Sequence, residues 1–157
     1  MRKHLMWASA TLALVTAACG GSPSPSATSS CANASAPHHA YVVVQHLSAV
    51  SLQKCVGFTG DTIDGQALMD QSGVEFQAQT FSFGKAVCQV DNEPAQFSTC
   101  FPANQPFWAL FIESGGAWTS ATASYTEAKL RDKEALGWHY VAQSAASPAP
   151  PPLAKQS

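Results

Sequence analysis

The cysteines are the residues of this sequence whose types and spacing most clearly indicate chemistry. Four of them form an even set, which in an exported chain predicts disulfide bonds: Cys31, Cys55, Cys88 and Cys100. Four cysteines allow three pairings. The short separation of Cys88 and Cys100, across a stretch of turn-forming residues, favours their pairing and leaves Cys31 with Cys55. A catalytic cysteine is the rival interpretation, but no matching histidine signature accompanies any of the four.

The fifth cysteine, Cys19, directly follows an export signal. A basic start, Arg2–His4, precedes an apolar stretch, Leu5–Val15, and small residues stand just before the cysteine. Val15–Cys19 resembles the bacterial lipobox, whose cysteine receives a diacylglyceryl group before cleavage, although a threonine occupies a usually aliphatic position. We therefore expect a lipoprotein signal peptide over residues 1–18 and a mature chain anchored by lipid on the extracytoplasmic face of the cell membrane. An ordinary secreted protein is the alternative.

Low-complexity segments flank the part of the chain that has regular apolar patterns. Residues 19–39 are rich in Ser, Pro and Ala and predict a linker, and residues 144–157 predict a proline-rich disordered tail. The folded domain is expected over residues 40–143, and membrane contact only through the N-terminal lipid. A formal charge of −2 with 11% charged residues excludes a nucleic-acid-binding surface.

Apolar patterns within residues 40–143 predict an α+β domain with one main helix. The helix is expected over Thr62–Ser72, followed by Gly73 as its C-terminal stop. Strands are expected at Tyr41–His46, Leu52–Phe58, Val74–Gln79, Lys85–Val90, Phe107–Ile112, Trp118–Ala123 and Trp138–Val141. The segment Thr126–Leu136 consists of strong helix formers, so propensity alone predicts a second helix there.

Several motifs resemble the transcobalamin-like C-terminal domain family, in a form found on exported actinobacterial proteins. They are Ala86–Pro94, Cys100, Pro106–Phe111, Gly115–Trp118 and Leu136–Tyr140. The resemblance spans nearly the whole folded part and implies a small, β-grasp-like mixed sheet with one helix. It also implies a turn before the last strand, so at Thr126–Leu136 we favour a turn with a short helical piece over the helix.

The resemblance implies a ligand-binding ancestry. Larger cobalamin carriers bind the vitamin between this module and a helical domain that this sequence lacks, so we expect no cofactor, with cobalamin as an alternative. The histidines His38, His39, His46 and His139 and the pair Asp61 and Asp64 lack metal-ligand spacing, which predicts no metal site. No nucleophile or paired-carboxylate signature is present, so an enzyme is not expected.

Aromatic residues concentrate in the last third of the chain. Neighbours on a strand, such as Phe107 and Trp108, face opposite sides of a sheet, so some rings are expected to point outward. Core packing is one interpretation, and an exposed platform for a ligand is the other. The candidate ligand-binding residues are Phe107, Trp108, Trp118 and Trp138. We therefore expect a non-catalytic binding module for a small ligand, linked to uptake, or alternatively a module that binds another envelope protein.

Overall fold

The computed structural model describes residues 31–143 and 147–156. Cys19 and the predicted signal peptide lie outside the described residues. The described elements are β1 His38–Gln45, β2 Ser51–Phe58, β3 Ile63–Asp64, α1 Gly65–Ser72, β4 Phe76–Phe81, β5 Gly84–Val90, β6 Phe107–Ser114, β7 Ala117–Ser120, β8 Lys129–Leu130 and β9 Ala135–Val141, with a 3-10 turn at Tyr125–Glu127. Within these ranges, no helix is long and apolar enough to span a membrane.

A five-stranded mixed sheet in the order β2-β1-β9-β6-β7 is the centre of the fold. Its central strands β1 and β9 run parallel, and every other neighbouring pair in this sheet is antiparallel. Two further strand pairs, β3 with β8 and β4 with β5, lie outside it. The prediction of an α+β domain with a mixed sheet and one main helix is therefore confirmed.

The two faces of this sheet bury different sets of side chains. On one side, here called the helix face, Val42, Leu136 and Trp138 pack with Leu68 and Met69 of α1 in the main apolar cluster. The opposite side, here called the tail face, presents the alternate residues of the same strands, among them Tyr41, Phe111, Glu113, Ala135 and Gly137. Side chains are buried on both faces, so aromatic residues of the central strands are buried whichever face they point to.

The helix α1 begins three residues later than its sequence predicts. Ile63 and Asp64 form β3, which pairs with β8, and the Asp64 carboxylate forms an ion pair with Lys129 instead of capping the helix. Gly65 is required at the first helical position because a Cβ there would lie 2.0 Å from the Tyr125 carbonyl oxygen. The helix ends, as predicted, at Gly73, whose φ of 70° is left-handed.

The segment Thr126–Leu136 forms no α-helix, so the expectation from propensity is wrong there. After the 3-10 turn, two residues form β8, a turn follows, and β9 begins at Ala135. Lys133, with a φ of 68°, takes the left-handed position in that turn. The core overrides propensity because Tyr125, Leu130 and Leu136 must all reach it, and their exposures are 1%, 0% and 0%.

The domain is larger than residues 40–143 at both ends. At the start, β1 already includes His38 and His39, and Ala32 bridges to Val56. At the other end, residues 147–156 lie against the tail face, where Pro151 is buried, although the sequence predicts a disordered tail. The prediction of a disordered tail was wrong because it rested on composition alone. Composition shows that residues 147–156 have no regular apolar pattern, but it does not show that the tail face of the sheet binds them.

Candidate functional site

An apolar cleft of about 390 Å³ opens beside the first half of β6. Seven aromatic residues border it: Phe83, Phe101, Phe107, Trp108, Phe111, Tyr125 and Trp138. We call it the aromatic cleft. Two of the candidate ligand-binding residues from the sequence, Phe107 and Trp108, lie on one strand of its wall, and a third, Trp138, lies on the neighbouring strand β9.

The cleft exists because β7 is half as long as β6. Their pairing runs only from Ser114 back to Phe111, and a last main-chain bond joins Ala121 N–H to the Leu110 carbonyl at 2.9 Å. Beyond that point residues 121–125 leave the sheet and form the opposite wall of the cleft. Because main-chain groups alternate along a strand, the N–H and C=O of Trp108 face this open side of β6.

Four phenylalanine rings from three segments meet at the mouth of the cleft. The Phe81 and Phe83 rings stack with centroids 5.2 Å apart, Phe101 lies 5.7 Å from Phe81, and Phe107 lies 6.3 Å from Phe101. Phe83 and Phe101 remain 54% and 46% exposed. Sequence reasoning missed Phe81, Phe83 and Phe101, although the Phe-Ser-Phe repeat before a predicted strand and the phenylalanine next to Cys100 were available signals.

Of the two interpretations of the aromatic residues, core packing holds for Trp108 and Trp138, and the exposed platform does not. Trp108 is 3% and Trp138 is 2% exposed. The Trp108 indole N–H donates to the Glu93 carbonyl at 2.8 Å, and the Trp138 indole N–H lies 3.2 Å from the Met69 sulfur. Both rings project from the helix face, whereas Phe107, the neighbour of Trp108 on β6, lies on the tail face, as alternation along a strand predicts. Their remaining exposed edges form the inner wall of the cleft.

The polar groups of the cleft wall are mostly engaged within the protein. Ser124 Oγ donates to the Lys85 carbonyl at 2.7 Å and accepts the Lys85 N–H at 3.1 Å, which ties the cleft wall to β5. Burial raises the pKa of the Tyr125 hydroxyl, the charge of Asp70 raises it further, and a hydrogen bond to Gln66 opposes both. This phenol therefore stays protonated at neutral pH.

Trp118, the remaining candidate, lies on the tail face and does not border the cleft. Its six-membered ring lies directly over Gly137, beside the Pro151 ring. Its Nε1 is buried, and none of the described residues accepts a hydrogen bond from it. The four candidates therefore divide between two places: three border the cleft and one packs against the C-terminal segment.

The structure contains the two disulfide bonds that cysteine spacing favours, Cys31–Cys55 and Cys88–Cys100. The second joins β5 to the long loop that carries Phe101, so it holds one side of the cleft mouth in place. A second cavity of about 320 Å³ lies under this loop and is bordered by both of its cysteines and by Tyr140. Burial, and then the charge of Glu93, raise the pKa of the Tyr140 hydroxyl.

The histidines are dispersed and paired with other groups. His46 Nδ1 lies 2.6 Å from a Glu93 oxygen and its Nε2 lies 3.5 Å from an Asp91 oxygen. The His38 ring packs on Phe58, and the His139 Nδ1 lies 2.7 Å from the Ala149 carbonyl. Across residues 31–143 and 147–156, no group of three or more His, Cys, Asp or Glu side chains is arranged to hold a metal ion.

Comparison with known proteins adds little to this geometry. No protein-family model and no curated protein sequence matches the chain. Among solved structures, the chain is similar to a protein of Ruminococcus gnavus described as a "putative metal binding protein", at 19% identity and a TM-score of 0.48. The similarity covers 67% of this chain and 97% of that one. At this level it carries no argument about function.

Proposed function

We propose that this protein is an exported, non-catalytic binding module that accepts an apolar, ring-bearing small ligand in the aromatic cleft. The observation that carries the proposal is the cleft itself. Its volume of about 390 Å³ falls in the range of small-molecule sites, roughly 300–1,000 Å³, and seven aromatic residues line it.

The polar groups of the cleft are suited to orienting a bound ligand and not to catalysing a reaction of that ligand. The N–H and C=O of Trp108 face its open side, and such main-chain groups fix the orientation of ligands in many pockets. Of the residues that line it, only Lys85 and Tyr125 carry ionisable side chains. The other lining residues include no carboxylate and no imidazole, so neither side chain has a partner there with which to exchange a proton.

Titration with an apolar ring probe, anilinonaphthalenesulfonate, tests the proposal. We expect saturable binding at one site, with a change in the fluorescence of Trp108 and Trp138. Phe101→Ala should weaken binding about tenfold or more while leaving the thermal transition within a few degrees, because its ring is half-exposed. Val50→Ala, which removes a 63% exposed apolar side chain remote from the cleft, is the matched control. Equal binding by the two variants would refute the cleft as the site.

We also propose that the chain is held at the extracytoplasmic face of the cell membrane through lipid on Cys19. The two disulfide bonds support an oxidising compartment outside the cytoplasm. A transcobalamin-like, β-grasp-like assignment accords with a helix packed across one face of a mixed sheet. A lipid-anchored binder of this kind would hold its ligand close to a transporter and so serve uptake.

A module that binds another envelope protein is the second candidate, favoured by the exposed rings of Phe83 and Phe101. The two functions use different parts of the site, since a protein partner would cover the mouth and a small ligand would fill the interior. Ala121→Trp, which places a large ring in the cleft, should abolish probe binding in the first case. It should leave binding of a protein partner intact in the second.

A further inference from the structure

The tail face contains a narrow trough that the C-terminal segment fills. Its floor is formed by the small residues Ala135 and Gly137 of β9, one wall by Trp118, and the other by Tyr41 beside the Cys31–Cys55 disulfide. We call it the proline trough, because the buried residue of the segment is Pro151 while its neighbours Pro150 and Pro152 are exposed.

The segment lies in the trough without forming a sheet strand. It runs opposite to β9: the Ala149 carbonyl meets His139, and Pro151 then meets Gly137. Further along, Ala154 N–H donates to the Glu113 carboxylate at 3.1 Å. These hydrogen bonds reach side chains of the sheet, whereas a strand would pair with main-chain groups. The segment is therefore not held by strand addition, in which a peptide ligand pairs with main-chain groups at a sheet edge.

The depth of the trough depends on a single glycine. A Cβ on Gly137 would lie 2.7 Å from Trp118 Cζ3 and 2.8 Å from Pro151 Cγ, so a side chain there would exclude the indole, the proline ring or both. A proline ring against a tryptophan in a glycine-floored trough is the contact by which aromatic-lined grooves recognise polyproline segments, whose preformed conformation loses little entropy on binding.

We propose that the proline trough is a recognition site for proline-rich extended segments of other proteins, and that the chain's own segment 147–156 is its displaceable occupant. Two observations indicate displaceability. Only one of the three consecutive prolines is buried, and Leu153 is 52% exposed, so the segment has few apolar anchors. The Trp118 indole N–H is also left without an acceptor among the described residues, so a partner can add a carbonyl that this segment does not supply.

Binding in trans can be measured on the full-length chain with a synthetic peptide of residues 147–156. In Pro151→Ser the anchor is lost and the trough opens, so we expect the peptide to bind and to change the fluorescence of Trp118. The matched control is Pro152→Ser, which alters an exposed proline and should leave the trough filled. Because a tethered segment competes at an effective concentration of about millimolar, the wild-type and control chains should bind at least about tenfold more weakly.

Hydrogen exchange on the wild-type chain provides a measurement that does not depend on the variant. The Ala154 and Lys155 amides donate to Glu113 and Gln53 and should be protected. Millimolar peptide should accelerate their exchange, and a peptide with Pro151→Ser should not. If saturating peptide leaves the protection of these two amides unchanged, the C-terminal segment is a permanent part of the fold and the proposal is wrong. A folded Pro151→Ser chain that binds no peptide would also overturn the proposal. Binding of the ring probe in the aromatic cleft reports separately on the proposed function.

Discussion

Removing each disulfide bond in turn should give similar losses of stability but different losses of binding. The Cys88–Cys100 bond closes a loop with a sequence separation of 12, and Cys31–Cys55 one of 24. The chain-entropy relation gives about 3 kcal/mol for the first and about 3.5 kcal/mol for the second. For a small domain, a loss of this size lowers the melting temperature by roughly 10–20 °C in both double-alanine variants.

Ligand binding should separate the two variants, because only one bond positions a ring of the aromatic cleft. Cys100 directly precedes Phe101, whose ring bridges the mouth between Phe81 and Phe107. Without this bond the loop is free to move the ring away, so we expect about a tenfold loss of affinity for the probe. The Cys31–Cys55 bond lies on the tail face and its loss should leave probe affinity unchanged.

The assay is a thermal melt of each variant, followed by probe titration well below the lower melting temperature, so that both chains are folded. The wild-type chain under the same conditions is the reference. Equal probe affinity in the two variants would refute the role given to the loop. A melting temperature unchanged in either variant would refute the stability calculation.

Four further predictions concern single residues. Trp138→Ala should destabilise the domain by about 3–5 kcal/mol, since the ring is 2% exposed, and a urea melt with an unchanged midpoint would contradict its core position. Gly137→Ala should release the C-terminal segment from Trp118, seen as faster amide exchange at the segment. The cleft probe should still bind, with an affinity changed only by the loss of the Pro148 contact. Burial raises the pKa of the Tyr125 hydroxyl above that of an unfolded tyrosine. The hydroxyl therefore contributes its full stabilisation at neutral pH and loses it as the pH rises above about 10. In Tyr125→Phe, the midpoint of denaturation should fall less steeply with rising pH in this alkaline range. Cys19→Ala should move the mature protein from the detergent phase to the medium or leave the precursor uncleaved, and mass spectrometry that finds an unmodified Cys19 in the wild-type chain would exclude lipid anchoring.

The regular strands could be predicted from the sequence because their patterns are local. Phe107–Ile112 and Trp138–Val141 are apolar runs of strand residues, and both lie within β6 and β9. The pair Gly115–Gly116 marks the β6–β7 turn, where both residues have positive φ. Thr126–Leu136 could not be predicted in the same way, because its conformation is decided by three side chains that must reach a core built from distant segments.

The cleft could be predicted only in part, for a different reason. Phe107 and Trp108 were identifiable as neighbours on one strand, but Phe101 reaches them through a disulfide-bonded loop and Phe83 through a strand turn. For Trp118, the interpretation as part of an exposed platform also assumed that its face of the sheet is free. No local pattern shows that a proline-rich segment covers that face, because the information lies in Gly137 and Trp118, far from the segment in sequence.

The C-terminal segment touches both candidate sites at once. Pro148 borders the aromatic cleft and Pro151 occupies the proline trough, three residues further along and about 9 Å away in an extended chain. Release of Pro151 therefore also frees the residue that forms part of the cleft wall. By thermodynamic reciprocity, a ligand that binds the cleft better with Pro148 in place must strengthen retention of the segment by the same factor. One short peptide thus makes the occupancy of the two sites interdependent, although different residues of the sheet line them.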